Sequence, residues 1–563
     1  MFLDSHKNTV KVITSAFFLV LVLVLGACGT VTPTTETPEA EPSPIVGTAT
    51  EEVIPTTSPT PGTISIAQIQ GASHISPYEN ELVNGVHGVV TVVTMDGFYM
   101  QSLAPDNDPA TSEGLFVFTE LVPSVRVGDE VEVSGQVEEM TPGGGYGNLS
   151  ITQIDNAEVS VLSSGNELPA FSIIGEGGRI PPSEIIDDDT EGFIGPTSVF
   201  DPENDGLDFY ETFEGMLVQV NDAFVVGPTN QYKEIVVLTD RGVNASVLSP
   251  RGGIVIREND FNPERIMLDD KLVETPLVNV GDFAAGPVKG VMDYDFGMFK
   301  IQVTEKVNFE SGGLTQEAPL PPAEDGQLRI ASYNVLNLSV VQPQRIKVLA
   351  DQIVNRMASP DIIALQEIMD DDGSTGQEAV SADLTYQAII EEVRLLGGPQ
   401  YYYVDIDPVA GSEGGIPLGN IRVGFLYRTD TGLSLVDAPH GDARTPIEVS
   451  NNNGVPELSL NPGRIDPYNP AFYASRRPLV VTFQYLGEPL FLINNHFVSK
   501  GGDRPLFGEF QPPILESEKQ RIDQAQVVNN FVNELLAIDP VARVIVMGDL
   551  NDFQFSNPLN VLE

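Results

Sequence analysis

Five polar residues stand just past the ends of apolar runs in the last part of this chain: Asn334, Glu367, His496, Asp549 and Asn551. Each type has a use in phosphoryl chemistry. Glu367 offers hard carboxylate oxygens suited to Mg²⁺, with Mn²⁺ or Ca²⁺ as alternatives. Asn334 and Asn551 bring amide groups toward a metal or a phosphate. Asp549 can orient or activate an attacking water, and with Asn334 it completes a candidate metal set around Glu367. His496 can hydrogen-bond a phosphoryl oxygen or protonate a leaving group. One such residue could be chance, but five of these types in one region are poorly explained by a solvated surface. Strand ends are where α/β folds gather their chemistry.

The elements that must position them follow from periodicity. Leu328 to Tyr333 reads as a short apolar strand ending at Asn334. A helix opening near Pro343 carries Ile346, Leu349, Ile353 and Met357 on one stripe. The run from Asp361 to Leu365 reads as a buried strand that delivers Gln366 and Glu367. Further strands are expected from Ile421 to Tyr427, Pro478 to Phe483 and Leu490 to Asn494, the last leading into Asn495 and His496. A helix is expected over about 516–536. It precedes the apolar run Val541 to Met547 and then Gly548-Asp549-Leu550-Asn551. Strands alternating with long helices predict an α/β domain over 327–563.

The strings ASYNVLNL, DIIALQEI, IRVGFLYR, SRRPLVV, NNHFVSKGGD and VMGDLND, in this order, resemble the endonuclease/exonuclease/phosphatase superfamily that includes DNase I-like nucleases. The resemblance implies an α/β four-layer sandwich and divalent-metal-dependent phosphodiester hydrolysis, with DNA or RNA as substrate. It implies that Asn334 helps set metal and phosphate, that Glu367 binds the metal and that Arg477 supports the site. His496 would lie beside the scissile phosphate, while Asp549 and Asn551 would align the nucleophile and stabilise the transition state. Arg422 and Arg428 could touch substrate phosphate, although Arg422 reads equally well as an outward-facing arginine. Asp370, Asp371 and Asp372 precede Gly373 and read as a solvated acidic loop rather than as ligands. The superfamily pattern continues past Asn551 to a final strand and an Asp-His pair. None of His6, His74, His87 or His440 stands at the right point in the order to supply that histidine. The domain is therefore expected to be truncated at its C-terminus, with a sheet edge uncovered and a rate loss of roughly 10²-fold or more.

Upstream the pattern is short strands punctuated by Gly, Asp and Pro. Residues 63–160 contain GVVTVV, GFYMQ and VRVGDEVEVSG, which resemble an OB-fold module. A weaker echo, from Phe213 to Val220 and again at Val278-Asn279-Val280-Gly281-Asp282, suggests a second β-rich, barrel-like domain over 205–310. Residues 161–204 and 311–326 read as linkers. The expected fold class is thus multi-domain, with OB-like β-barrel modules followed by the α/β sandwich. Phe98, Tyr99 and Phe224 could be stacking platforms for bases, but such aromatics more often pack a barrel. Asp201-Pro202-Glu203-Asn204-Asp205-Gly206 opens like an oxygen-ligand loop, yet its twelfth position is Thr212. A solvated turn is the preferred reading there.

Lys7 and Lys11 precede an apolar run from Val12 to Leu25, which ends in Leu25-Gly26-Ala27-Cys28. This resembles the lipobox of bacterial lipoproteins, with residues 1–27 as signal peptide and Cys28 as the lipidated first residue. Residues 28–62, rich in Thr, Pro and Glu, read as a flexible stalk. The expectation is an exported cell-envelope lipoprotein held at the membrane by its lipid, with no protein partner. Loss of residues 1–27 removes one acid and two bases, moving the formal charge from −51 to −52. Such a charge excludes a broad basic nucleic-acid surface and favours uptake of divalent cations. The favoured function is hydrolysis of extracellular nucleic acid by an endonuclease that scavenges nutrients. Two readings stay open beside it: another phosphodiesterase or phosphatase of the same superfamily, acting on phospholipid or inositol phosphate, and a non-catalytic surface binding module.

Overall fold

Alternating valines build the first module. Strands Leu82–Val93, Gly97–Gln101, Gly114–Phe118, Ile151–Ser163 and Glu130–Met140 pair in that order and close on themselves. Val86, Val90, Phe98, Val117, Val131, Val133 and Ile154 fill the interior, so one side of each strand supplies the core. The computed structural model describes residues 64–563 apart from 145–146, 322, 325 and 377–378. The expected signal peptide, Cys28 and the stalk lie outside the described residues. Among those described, no helix is long and apolar enough to cross a membrane.

The second expected barrel is corrected by the strand order. It is a nine-stranded sheet running Phe309–Glu310, Phe283–Ala284, Phe224–Val225, Ile235–Leu238, Ile266–Asp269, Met298–Val303, Val288–Asp295, Leu217–Val220 and Ser172–Ile174. It does not close, so OB-like modules in the plural do not describe this chain. The weak echo from Phe213 to Val220 marked a strand and not a repeated fold. Residues 161–204 are more than a connection: Ser172–Ile174 pairs in parallel with Leu217–Val220, and Gly192–Phe193 pairs with Phe510–Gln511 far down the chain. Phe98 and Tyr99 are buried. Of the aromatics first considered for stacking, Phe98 and Tyr99 therefore pack inward, and Phe224 is half-buried beside Gly242 and Gly252.

The C-terminal domain has four layers. One sheet has the order Ile330–Leu338, Ile362–Ile368, Arg422–Arg428, Tyr401–Asp405. The other has the order Leu433–Leu435, Leu479–Tyr485, Glu488–His496, Arg543–Asp549. Alternation along single strands decides the layering: Ile363 and Leu365 pack under the helices Pro343–Asp351 and Asp383–Leu395. Ile362 and Ala364 face Val481, Phe483 and Leu492 of the opposite sheet. The helix Glu518–Ile538 covers the outer face of the second sheet through Ala525, Val528, Phe531 and Leu535.

Candidate active site

Two strands from each sheet end at one place. Ile330–Leu338 brings Asn334, and Ile362–Ile368 brings Glu367. Glu488–His496 and Arg543–Asp549 run parallel, with His496 paired to Asp549 in register. Gly548 is required there because a Cβ would sit 2.1 Å from the Asn495 carbonyl oxygen. Its φ of 126° is likewise one that L side chains rarely adopt.

The Asn334 amide nitrogen donates to Glu367 Oε1 at 3.0 Å and to Asp549 Oδ2 at 2.8 Å, tying the two sheets together. Its oxygen accepts from the Leu336 N–H, so Asn334 presents N–H groups to the carboxylates. In that orientation the Asn334 amide nitrogen ties the two carboxylates together. Glu367 sits at φ 63°, an uncommon conformation for a side-chain-bearing residue, and the Asn337 N–H holds its other oxygen at 3.0 Å. His496 Nε2 lies 3.8 Å from Glu367 and 4.0 Å from Asp549. Burial, and then the nearby Arg476 guanidinium, push the imidazole pKa down to about 3 against the pull of Asp549. The ring is therefore neutral at ordinary pH. The Asn551 N–H donates to Asp549 Oδ1 at 2.9 Å, and its side-chain amide donates to the Phe497 carbonyl.

The two carboxylates converge on one point with hard oxygens and remain partly open to solvent, which fits a divalent cation. Glu367 and Asp549 would hold it. It would supply charge to a phosphoryl oxygen and a pathway to an activated water. Beside them an open cleft of about 630 Å³ is lined by Asn334, Gln366, Lys500, Asp549, Asn551 and Phe553.

Three residues singled out in the sequence lie elsewhere. Arg422 is buried against Asp407 at 2.5 Å and Asp405 at 3.5 Å, an internal ion pair with no free face for phosphate. Arg477 spends its guanidinium on the carbonyls of Pro467, Ser412 and Ser475, clamping a loop. Asp370 is buried rather than solvated and accepts from the Asn420 amide at 2.9 Å. Burial outweighs that bond and, with Asp372 adjacent, pushes the carboxyl up to about 6.

Sequence reading missed Arg476, the neighbour of Arg477. It is buried, donates to the Phe497 carbonyl at 2.6 Å and feels the charges of Glu367 and Asp549. Desolvation lowers its pKa to about 10, so it stays a fixed cation under the site. The Arg-Arg pair was the only signal for it, and strand alternation does not say which arginine turns inward. Asn494 was missed as well. It accepts from Gln366 and donates to the Leu365 and Gly424 carbonyls, bridging the sheets.

Residues 458–561 match the model of the Endonuclease/Exonuclease/phosphatase family, a segment that includes Arg476, Asn494, His496, Asp549 and Asn551. Over that segment, which covers part of the C-terminal domain, the chain is similar to the family. Residues 173–311 match a model described as Domain of unknown function (DUF8508). No curated protein matches the chain. Similar solved structures include TDP2 from C. elegans, at 20% identity over 40% of this chain and 48% of that one, with a TM-score of 0.24. A β-hairpin deletion mutant of beta toxin from Staphylococcus aureus is 15% identical over 42% and 73%, with a TM-score of 0.26. An endonuclease/exonuclease/phosphatase family protein from Leptotrichia buccalis C-1013-b is 16% identical over 41% and 70%, with a TM-score of 0.26. This chain thus spans about half the length of the first of these.

Outside this site, the described residues hold two groups of three carboxylates that could take a divalent ion: Asp187, Asp189, Asp205 and Glu234, Asp269, Asp295. Both lie in the middle domain.

Proposed function

We propose that this chain hydrolyses phosphodiester bonds of nucleic acid outside the cell, as an endonuclease that uses Mg²⁺ held by Glu367 and Asp549. The observation that carries the reading is the Asn334 amide bridging those two carboxylates with His496 Nε2 within 4.0 Å of both. Asn334 fixes the carboxylates. Asp549, itself held by the Asn551 N–H, orients the attacking water. Neutral His496 hydrogen-bonds a phosphoryl oxygen, while Arg476 supplies fixed positive charge beneath the site. Lys500, paired with Asp552 and 4.6 Å from the Phe553 ring, brings a cation to the rim of the cleft. The leader and Cys28 support an exported, lipid-anchored location.

The test is nicking of circular double-stranded DNA by the purified chain with and without Mg²⁺, beside a Glu367→Ala control. Mg²⁺-dependent nicking that the substitution abolishes is the expected result. A chain inert on DNA and RNA but active on a phosphodiester lipid would overturn the nucleic-acid assignment and leave the superfamily chemistry intact. Inertness on all three would overturn the hydrolytic reading.

A further inference from the structure

The two carboxylate groups of the middle domain differ in what neutralises them. Glu234, Asp269 and Asp295 surround the buried Lys300 ammonium, with contacts of 2.5 Å to Glu234, 3.3 Å to Asp269 and a shorter one to Asp295. That cluster contains its own cation. Asp187, Asp189 and Asp205 have none: among the described residues no ion pair reaches any of the three, although one oxygen of each lies within 4.8 Å of the others.

Asp205 is the anomaly. It is 1% exposed, and both of its carboxylate oxygens are buried without a hydrogen-bond partner. It stands at the cap position of the short helix Gly206–Glu211, where an aspartate ordinarily accepts from a backbone N–H, yet it caps nothing. Its side chain is turned toward Asp187 and Asp189 instead. The neighbouring Thr190 hydroxyl is buried and unpartnered too, while the Thr190 N–H fixes Asp187 Oδ1 at 2.9 Å. Leaving a carboxylate in this state is costly unless a charge or proton compensates it. In the absence of a cation, burial together with Asp187, Asp208 and Asp189 pushes the Asp205 carboxyl up to about 7.

We infer that Asp187, Asp189 and Asp205 form a structural Ca²⁺ site, separate from the hydrolytic centre, that pins the middle domain to the C-terminal domain. The donors are hard oxygens. Oxygens that share a Ca²⁺ ion lie at most roughly 4.6–5.2 Å apart, and one oxygen of each of the three side chains lies within 4.8 Å of the others. Asp189 is exposed and gives the ion an entry path. Between the ligands runs Gly192–Phe193, which pairs with Phe510–Gln511, and the Ile194 N–H donates to the Glu509 carbonyl at 2.8 Å. The rings of Phe193 and Phe510 meet edge to face, 5.8 Å apart. The Phe510 segment lies between His496 and the helix Glu518–Ile538, so an ion that orders residues 187–205 also steadies the loop leaving the active site.

The experiment is calorimetric titration of the full chain with Ca²⁺ in a Glu367→Ala background, which removes one of the two carboxylates of the hydrolytic centre. One stoichiometric site is expected, lost in Asp205→Asn and weakened in Asp189→Asn, whose exposed position leaves folding undisturbed. Hydrogen exchange with Ca²⁺ against chelator reads the second half of the inference: protection is expected to rise over 187–205 and over 509–511 together. Unchanged binding in both variants overturns the site, as does an Asp205→Asn protein more stable than its parent in saturating Ca²⁺, because the native carboxyl would then be a neutral acid. Protection gained over 187–205 alone overturns the pinning role.

Discussion

Asn494→Leu removes the polar tie between the two sheets directly beneath the site. Asn494 is fully buried and makes three hydrogen bonds: it accepts from Gln366 at 2.8 Å and donates to the carbonyls of Leu365 at 3.0 Å and Gly424 at 2.9 Å. Gln366 keeps the Ala364 carbonyl as a second acceptor, so its own loss is small. The two carbonyls left behind belong to paired strands, and leucine cannot serve them. At about 1–1.5 kcal/mol for each stranded group, the domain loses about 2–3 kcal/mol, with the leucine filling similar volume. The cost reaches the chemistry as well, because Glu367 follows Gln366 and holds its left-handed conformation only while its strand is fixed. Native-state hydrogen exchange over 362–368 and 422–428 reads the stability of this domain apart from the others. A parallel titration reads the Mg²⁺ needed for half-maximal hydrolysis, which is expected to rise. A loss below about 1 kcal/mol in both peptides would show that water or a shift of the strands serves the carbonyls, and the reasoning would fail.

Two further outcomes follow from groups that the structure separates. Arg476→Met is expected to lower hydrolysis by about 10²–10³-fold in a folded protein, since it removes fixed charge below the site. Arg477→Met is expected to keep most activity and lower thermal stability, having lost only its loop carbonyls; steady-state rates and melting curves for the pair check this, and the reverse pattern would exchange their roles. His74 is buried between Asp208 at 2.6 Å and Glu211 at 3.0 Å. Desolvation lowers its pKa, but the two carboxylates outweigh it and raise the value to about 10. A raised folded value means that the stabilisation is complete below the unfolded pKa of about 6.5 and is lost as pH climbs toward 10. Melting temperatures are expected to fall across that window in the parent and to stay flat in His74→Gln; a parent that is level from pH 6.5 to 10 refutes it.

The five strand-end residues were legible because α/β domains expose their chemistry where apolar runs stop, and the runs ending at Asn334, Glu367 and Asp549 are short and unambiguous. The four layers were implied by the resemblance alone; the residues from Ile362 to Leu365, apolar on both sides, marked a buried strand and did not say what covers it. What sequence did not reveal depends on partners distant in the chain. Arg422 finds Asp405 and Asp407 only across neighbouring strands, and Arg476 differs from Arg477 only in which way the backbone turns. Asp205 looked like part of a solvated turn because nothing local announces that residues 185 and 186 pack over it; the Gly206 and Leu207 N–H groups donate to Ile185 and Ile186. The middle sheet was misread as a second barrel because its strands are short and their order, with Ile266–Asp269 parallel to Met298–Val303, leaves no trace in hydropathy.

The bond from the Asn334 amide to Asp549 joins residues 215 positions apart. Chemistry so divided has a consequence for biosynthesis. On the proposed function, a growing chain that has delivered Asn334 and Glu367 holds half of the site and stays inert while the intervening residues are made. Loop closure over that distance, and the docking of one sheet on the other, must both precede the first turnover. On that reading an unfolded or partly synthesised chain spares any phosphodiester around it, and competence arrives late, when Asp549 settles beside His496.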